Sequence, residues 1–192
     1  MKRKLAQCLR AVSLPAVLAL LLLCLLRIQH PVYFVGNSFW ISIITVVIIP
    51  LLPYPISLVQ SKVGAERRET QRSIAFKLTL VGHTAALLYG WIKGLCPELM
   101  LIYWTYFLSI FVLFVFNKLL RIRASAHGAG MSGAFFLMPY LLASVWYLPC
   151  AAMIAAVCWS SVVLGRHTIR ELIFGGCCGG IAFFLSMAIT ML

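Results

Sequence analysis

Lys118-Leu119-Leu120-Arg121-Ile122-Arg123-Ala124-Ser125-Ala126-His127 opens a long apolar stretch, and Ser160-Ser161-Val162-Val163-Leu164-Gly165-Arg166-His167-Thr168-Ile169-Arg170-Glu171 closes it. A membrane helix needs roughly 20 apolar residues to cross the hydrocarbon core. Two crossings fit between the histidines, so a chain that leaves a membrane face at the first connector returns to that face at the second. His127 and His167 can therefore share a site.

Working outward, the same alternation of apolar runs and charged connectors fills the chain. Of the 192 residues 63% are hydrophobic and only 10% charged, which excludes an ordinary soluble domain. The expected fold is all-α: one domain, residues 1–192, a polytopic integral membrane bundle of six to seven transmembrane helices. Apolar spans are expected near 11–26, 39–58, 73–92, 99–116, 130–147, 150–164 and 172–192. The first is read as a retained helix, because Arg27-Ile28-Gln29-His30-Pro31 follows it in place of a small-residue cleavage site. Pro50, Pro53 and Pro55 predict a kink or unwinding late in the second, and Leu148-Pro149-Cys150 a turn between the fifth and sixth. Gln60 to Arg72, the most hydrophilic segment, reads as a solvated loop. Gly175-Gly176-Cys177-Cys178-Gly179-Gly180 sets small residues four apart twice over, a face on which another helix can pack closely.

Sixteen Lys and Arg against four acids give a net charge of +12. The cations cluster in the connectors, so they orient the protein and meet anionic lipid, and nucleic acid is not an expected partner. Counted over seven spans, fourteen of the sixteen fall on the side of the N-terminus. That side is read as cytoplasmic, in a plasma membrane of the bacterial inner-membrane kind. Asp is absent, and the seven Cys show no zinc spacing. Neither a metal nor a cofactor is expected. His83, within the third span, reads as a neutral histidine bonded to a neighbouring helix.

The two connectors carry the chemistry. His167 and Glu171 are four apart, and a carboxylate on one imidazole nitrogen raises the nucleophilicity of the other. Lys118, Arg121, Arg123, Arg166 and Arg170 lie nearby in sequence, and a helix starting after Ser125 would aim free N–H groups at an anion. A phosphate site fits these residues, and so does an interfacial charge cluster with incidental histidines.

Residues 118–180 resemble the type 2 phosphatidic acid phosphatase superfamily. The third signature of that family is Ser-Arg, five residues, His, three residues, Asp. Here Ser160, His167 and Glu171 hold the Ser, His and Asp places, Ser161 stands for the Arg, and Leu164-Gly165 precedes the His as it often does. Ala124-Ser125-Ala126-His127 is similar to the second signature, Pro-Ser-Gly-His. The first, Lys, six residues, Arg-Pro, finds no match. The resemblance implies that His167 is a nucleophile forming a phosphohistidine, that Glu171 holds it, and that His127 protonates the leaving group and then assists water. It implies phosphate binding by Ser125, Ser160 and Arg123, with Lys118, Arg121, Arg67 and Arg68 supplying the cations of the absent signature. The implied substrate is a phosphomonoester or pyrophosphate of a membrane lipid, hydrolysed without metal. The family usually has six core helices and often works on the non-cytoplasmic face, whereas the charges here point to seven and the cytoplasmic face. Two other readings are a non-catalytic protein that binds or moves lipid phosphates, and a haem protein using pairs among His83, His127 and His167.

Overall fold

The computed structural model describes residues 2–59 and 64–191, without the side chains of Ala11, Leu58, Gly64, Ala65, Arg67 and Arg68. The described residues form helices and turns and no strands. In order these are α1 (Lys2–Val12), α2 (Pro15–Gln29), a run Ser38–Ser57 built of α3 (Ser38–Ser42), a π-helical stretch (Ile43–Ile48), α4 (Ile49–Leu51) and α5 (Pro53–Val59), then α6 (Gly64–Lys93), α7 (Pro97–Phe114), α8 (Ala126–Leu141), α9 (Tyr147–Val163) and α10 (Ile169–Thr190).

Among the described residues four helical runs are long and apolar enough to cross a membrane: 38–57, 97–119, 144–163 and 169–190. A fifth joins them if the bent pair α1–α2 counts as one span. Large apolar side chains lie outward on these helices, among them Trp40, Phe111, Trp159 and Phe184, as the chemistry of a lipid solvent requires.

The expected third and fifth spans are helices that fall short on different counts. α6 has 30 residues, ample length for a crossing, but Lys77 and His83 interrupt its apolar part. α8 has only 16 residues and ends at Leu141, two residues past Pro139. The turn expected at Leu148-Pro149-Cys150 falls earlier, at Leu142–Ala143. α9 already runs from Tyr147, with Pro149 in its first turn, where a missing N–H costs nothing.

Two further expectations are corrected. The Gln60–Arg72 segment is not a loop throughout: residues 64–72 form the start of α6, rich in the helix formers Ala, Glu, Arg and Gln, with Glu66 in the first turn. The first apolar run is broken at Ser13–Leu14, and α1 and α2 are bent by 54°. Pro15 causes the break, since it opens α2 and holds Leu14 extended (φ −57°, ψ 136°). In the second span the unwinding expected near the prolines takes the form of the π stretch before Pro50, which cannot donate an N–H, and a turn at Leu52.

Leu22, Leu23 and Leu26 of α2, Ile102 and Tyr103 of α7, Leu137 and Met138 of α8 and Phe183 of α10 make the core. α8 and α10 approach most closely, through glycine. A β-carbon on Gly175 would overlap the backbone oxygen of Ser125, and one on Gly179 that of Ala129. The stretch expected to be a packing face is therefore used by Gly175 and Gly179, while Gly176 faces open space. That contact sets the first turns of α8 and α10 side by side.

Candidate functional site

The site lies where the N-terminal ends of α8 and α10 meet the C-terminal end of α9 and the α1–α2 corner. Gly165, at φ +60°, ends α9, and Arg166 N–H bonds back to the Ser161 carbonyl at 3.0 Å. Only glycine takes this left-handed turn without strain. The reversal leads into Thr168, whose Oγ1 accepts the Glu171 N–H at 3.2 Å and caps α10. His167 thus precedes the helix instead of lying on its face, yet its Nδ1 still meets Glu171 Oε2 at 2.8 Å. The other carboxylate oxygen, Oε1, takes Arg123 Nε at 3.4 Å.

Ser125 caps α8, its Oγ accepting the Gly128 N–H at 3.2 Å. Its own N–H donates to the Glu171 carbonyl at 2.9 Å, tying the two helix starts together. His127, the second residue of α8, is buried. Its Nε2 lies 3.1 Å from Ser13 Oγ, in the α1–α2 corner. From the same corner the half-buried Arg10 reaches α9, its Nη1 donating to Ser161 Oγ at 3.4 Å. Arg166 and Arg72 lie within electrostatic range of Arg10, and Arg10 and Arg72 within range of His167.

Burial governs the histidines, and the surplus of cations adds to it. Burial, then Arg10 and His167, push His127 down to about 4. Burial also pulls His167 below its ordinary value, outweighing the Glu171 hydrogen bond that raises it. Both rings are therefore neutral near pH 7. Neutral His167, with Nδ1 held by a carboxylate, presents a lone pair on Nε2.

The residues singled out from the sequence divide into four groups. His167, Glu171 and Arg123 are in direct contact, and His127 is close enough to feel the His167 charge. Ser125 and Ser160 are buried, with their hydroxyls engaged in the α8 cap and on the Val157 carbonyl (3.0 Å). Lys118 and Arg121 are exposed and make no hydrogen bond or ion pair among the described residues; Arg121 takes a left-handed φ of +56° just past the π turn that ends the α7 run. The Arg67 and Arg68 side chains lie outside the described residues, but Arg72, from the same segment, is within electrostatic range of Arg10 and His167.

Sequence reasoning missed Arg10 and Ser13. Arg10 reads as one more orienting cation, although Ser13 and Pro15 in an otherwise apolar run are a helix-start signal that would have placed a corner there. Among the described residues no three His, Cys, Asp or Glu side chains gather to hold a metal ion. His83 is buried beside Tyr106 of the neighbouring α7, with ring centroids 5.6 Å apart and the Tyr106 backbone within hydrogen-bonding reach, while its Nδ1 has no partner among the described residues. A mainly apolar cavity of about 120 Å³, lined by Gly128, Met131, Val157, Leu172 and Gly176 among others, lies between α8, α9 and α10; Gly128 and Leu172 follow His127 and Glu171 in the chain, but neither His127 nor Glu171 lines it. Comparison with family models, with curated proteins and with solved structures finds no match to this chain.

Proposed function

We propose that the protein is a metal-independent phosphatase of lipid phosphates, a divergent relative of the type 2 phosphatidic acid phosphatases. The observation that carries this reading is the 2.8 Å His167–Glu171 pair set beside His127 in a cluster of Arg side chains. His167 Nε2 attacks phosphorus as the ester P–O bond breaks, and the leaving oxygen takes a proton from His127. Water then attacks phosphorus, the P–N bond breaks, and His127 takes the water proton. Burial and, after it, nearby cations hold His127 neutral in the free protein; the negative charge of the bound phosphate favours the protonated ring, which takes up its proton as substrate binds. Arg10 grips the phosphoryl oxygens from the side of Ser161, where the third signature has its Arg. The apolar cavity between α8, α9 and α10, which begins one residue past His127 and Glu171, supports a substrate with a hydrocarbon chain, a phosphatidate or a polyprenyl pyrophosphate.

In this reading α2, the 38–57 run, α6, α7, α8, α9 and α10 are seven passes of a bacterial inner membrane, with the site on the cytoplasmic face, where fourteen of the sixteen Lys and Arg lie. Purified protein in lipid nanodiscs should release phosphate from such lipids, be inhibited by vanadate, and form a base-stable, acid-labile phosphoenzyme. Full activity in His167→Ala would sink the reading. The engaged hydroxyls of Ser125 and Ser160 favour a second one, a non-catalytic lipid-phosphate binder. It requires binding without turnover that His167→Ala leaves unchanged.

A further inference from the structure

Ser13 lies 114 residues from His127 in sequence, yet its hydroxyl is fully buried against the ring. Two features fix it there. Ser13 N–H bonds to the Leu9 carbonyl at 3.0 Å, closing α1. Two residues on, the Pro15 ring fills the space beside Gly130, where any β-carbon would overlap it. His127 and Gly130 are three apart and share a face of α8. The α1–α2 corner therefore straddles one turn of α8, with Pro15 seated at Gly130 and Ser13 at His127.

The hydroxyl has one hydrogen, and it donates this to the Arg10 carbonyl at 3.3 Å. Toward His127 Nε2, at 3.1 Å, the oxygen then acts as acceptor. A neutral imidazole that donates from Nε2 carries its lone pair on Nδ1. We infer that Ser13 is a positioning residue that fixes His127 as the Nε2–H tautomer and leaves Nδ1 as the nitrogen that takes up and gives the proton. No motif contains Ser13, and its role follows from the corner alone. The inference rests on the reading of His127 as acid and base, but its central claim is about the ring itself. The same contact gives Gly130 and Pro15 a purpose, since their packing sets the height of the corner on α8.

The test is the ¹⁵N spectrum of the full chain labelled at histidine, in detergent micelles near pH 8. The four histidines are resolved by comparison with His127→Gln. The His127 signals should place the proton on Nε2. In Ser13→Ala they should move toward an average of the two tautomers, and Ser13→Thr, which keeps the hydroxyl, should hold the wild-type pattern. Gly130→Ala, which leaves Ser13 intact but pushes on Pro15, should resemble Ser13→Ala. In turnover, Ser13→Ala should lower kcat by about tenfold, the size expected for one hydrogen bond, with KM within about twofold. A proton on Nδ1 in the wild type, or ring signals unmoved in Ser13→Ala, overturns the inference. If the wild type releases no phosphate, the phosphatase reading falls while the ring signals still decide the role of Ser13.

Discussion

Glu171→Gln removes the charge that holds His167 and keeps the shape. In the wild type one carboxylate oxygen takes the His167 Nδ1–H at 2.8 Å and the other takes Arg123 Nε at 3.4 Å. An amide has one oxygen and one NH₂, so it cannot accept from both donors. If the oxygen stays with His167, the NH₂ faces the Arg123 guanidinium, whose side chain is 77% exposed and can move away into water. The loss then falls on the His167 bond. Those two side chains keep only 17% and 13% of their exposure, so water does little to screen them. A hydrogen bond to a charged group is worth about 1.5–3 kcal/mol against about 1 for a neutral pair. The difference, about 0.5–2 kcal/mol, would act mainly in the proposed transition state, where bond formation at Nε2 makes the ring cationic. At about 1.4 kcal/mol per tenfold, kcat/KM should fall by more than about twofold and up to about thirtyfold. The assay is phosphate release by nanodisc-embedded enzyme over a range of lipid phosphate, with melting temperature as a check on folding. A Glu171→Gln enzyme within twofold of wild type would refute the role given to this pair.

Arg123→Gln should cost less than about threefold in the same assay, because an exposed ion pair contributes little; a loss as large as that of Glu171→Gln would mean that Arg123 touches substrate. Gly175→Ala should lower the melting temperature by several degrees, since its β-carbon meets the Ser125 backbone, whereas Gly176→Ala, in open space, should be neutral or gain about 0.5–1 kcal/mol. Equal effects would contradict the α8–α10 contact. His127, held at about 4, binds fewer protons folded than unfolded between that value and its ordinary 6.5. Stability should therefore fall as pH drops from about 6.5 to about 4, and melting curves of His127→Gln should show a shallower fall; identical slopes would refute the depressed value.

Apolar run length, charge clustering and small-residue spacing made the helical membrane class, the Gly175–Gly180 packing face and the His167–Glu171 spacing legible. Each is a local property, carried by residues a few positions apart. Helix ends were less so. Pro139 did not by itself reveal that α8 stops at Leu141, and Ala, Glu and Arg after Gly64 looked like a loop because charge hid their helix propensity. Least visible were the contacts of Arg10 with Ser161 and Ser13 with His127, 151 and 114 residues apart. They depend on a bend at Pro15 and on the empty face of Gly130, and periodicity carries information about neither.

The membrane fold and the chemistry meet at the glycines of α10. Because Gly175 lets α10 press on the backbone of α8, Ser125 N–H reaches the Glu171 carbonyl, and the two helices begin at the same level. Two helix N-termini side by side add partial positive charge to a place already bearing Arg10, Arg72, Arg123 and Arg166. Glu171 is the one carboxylate shown in contact with these groups, and it is shared between His167 and Arg123. A further fixed cation there would be repelled, and repulsion of a histidine proton adds to the burial that holds His127 low in the free protein. An anion would counter the repulsive part. In the proposed reaction its arrival favours protonation of His127 while the oxygen that needs the proton lies in the site. The proposal therefore predicts that a neutral lipid in the same place leaves His127 unprotonated, so that selectivity for phosphate over uncharged headgroups rests on the field as much as on any single contact.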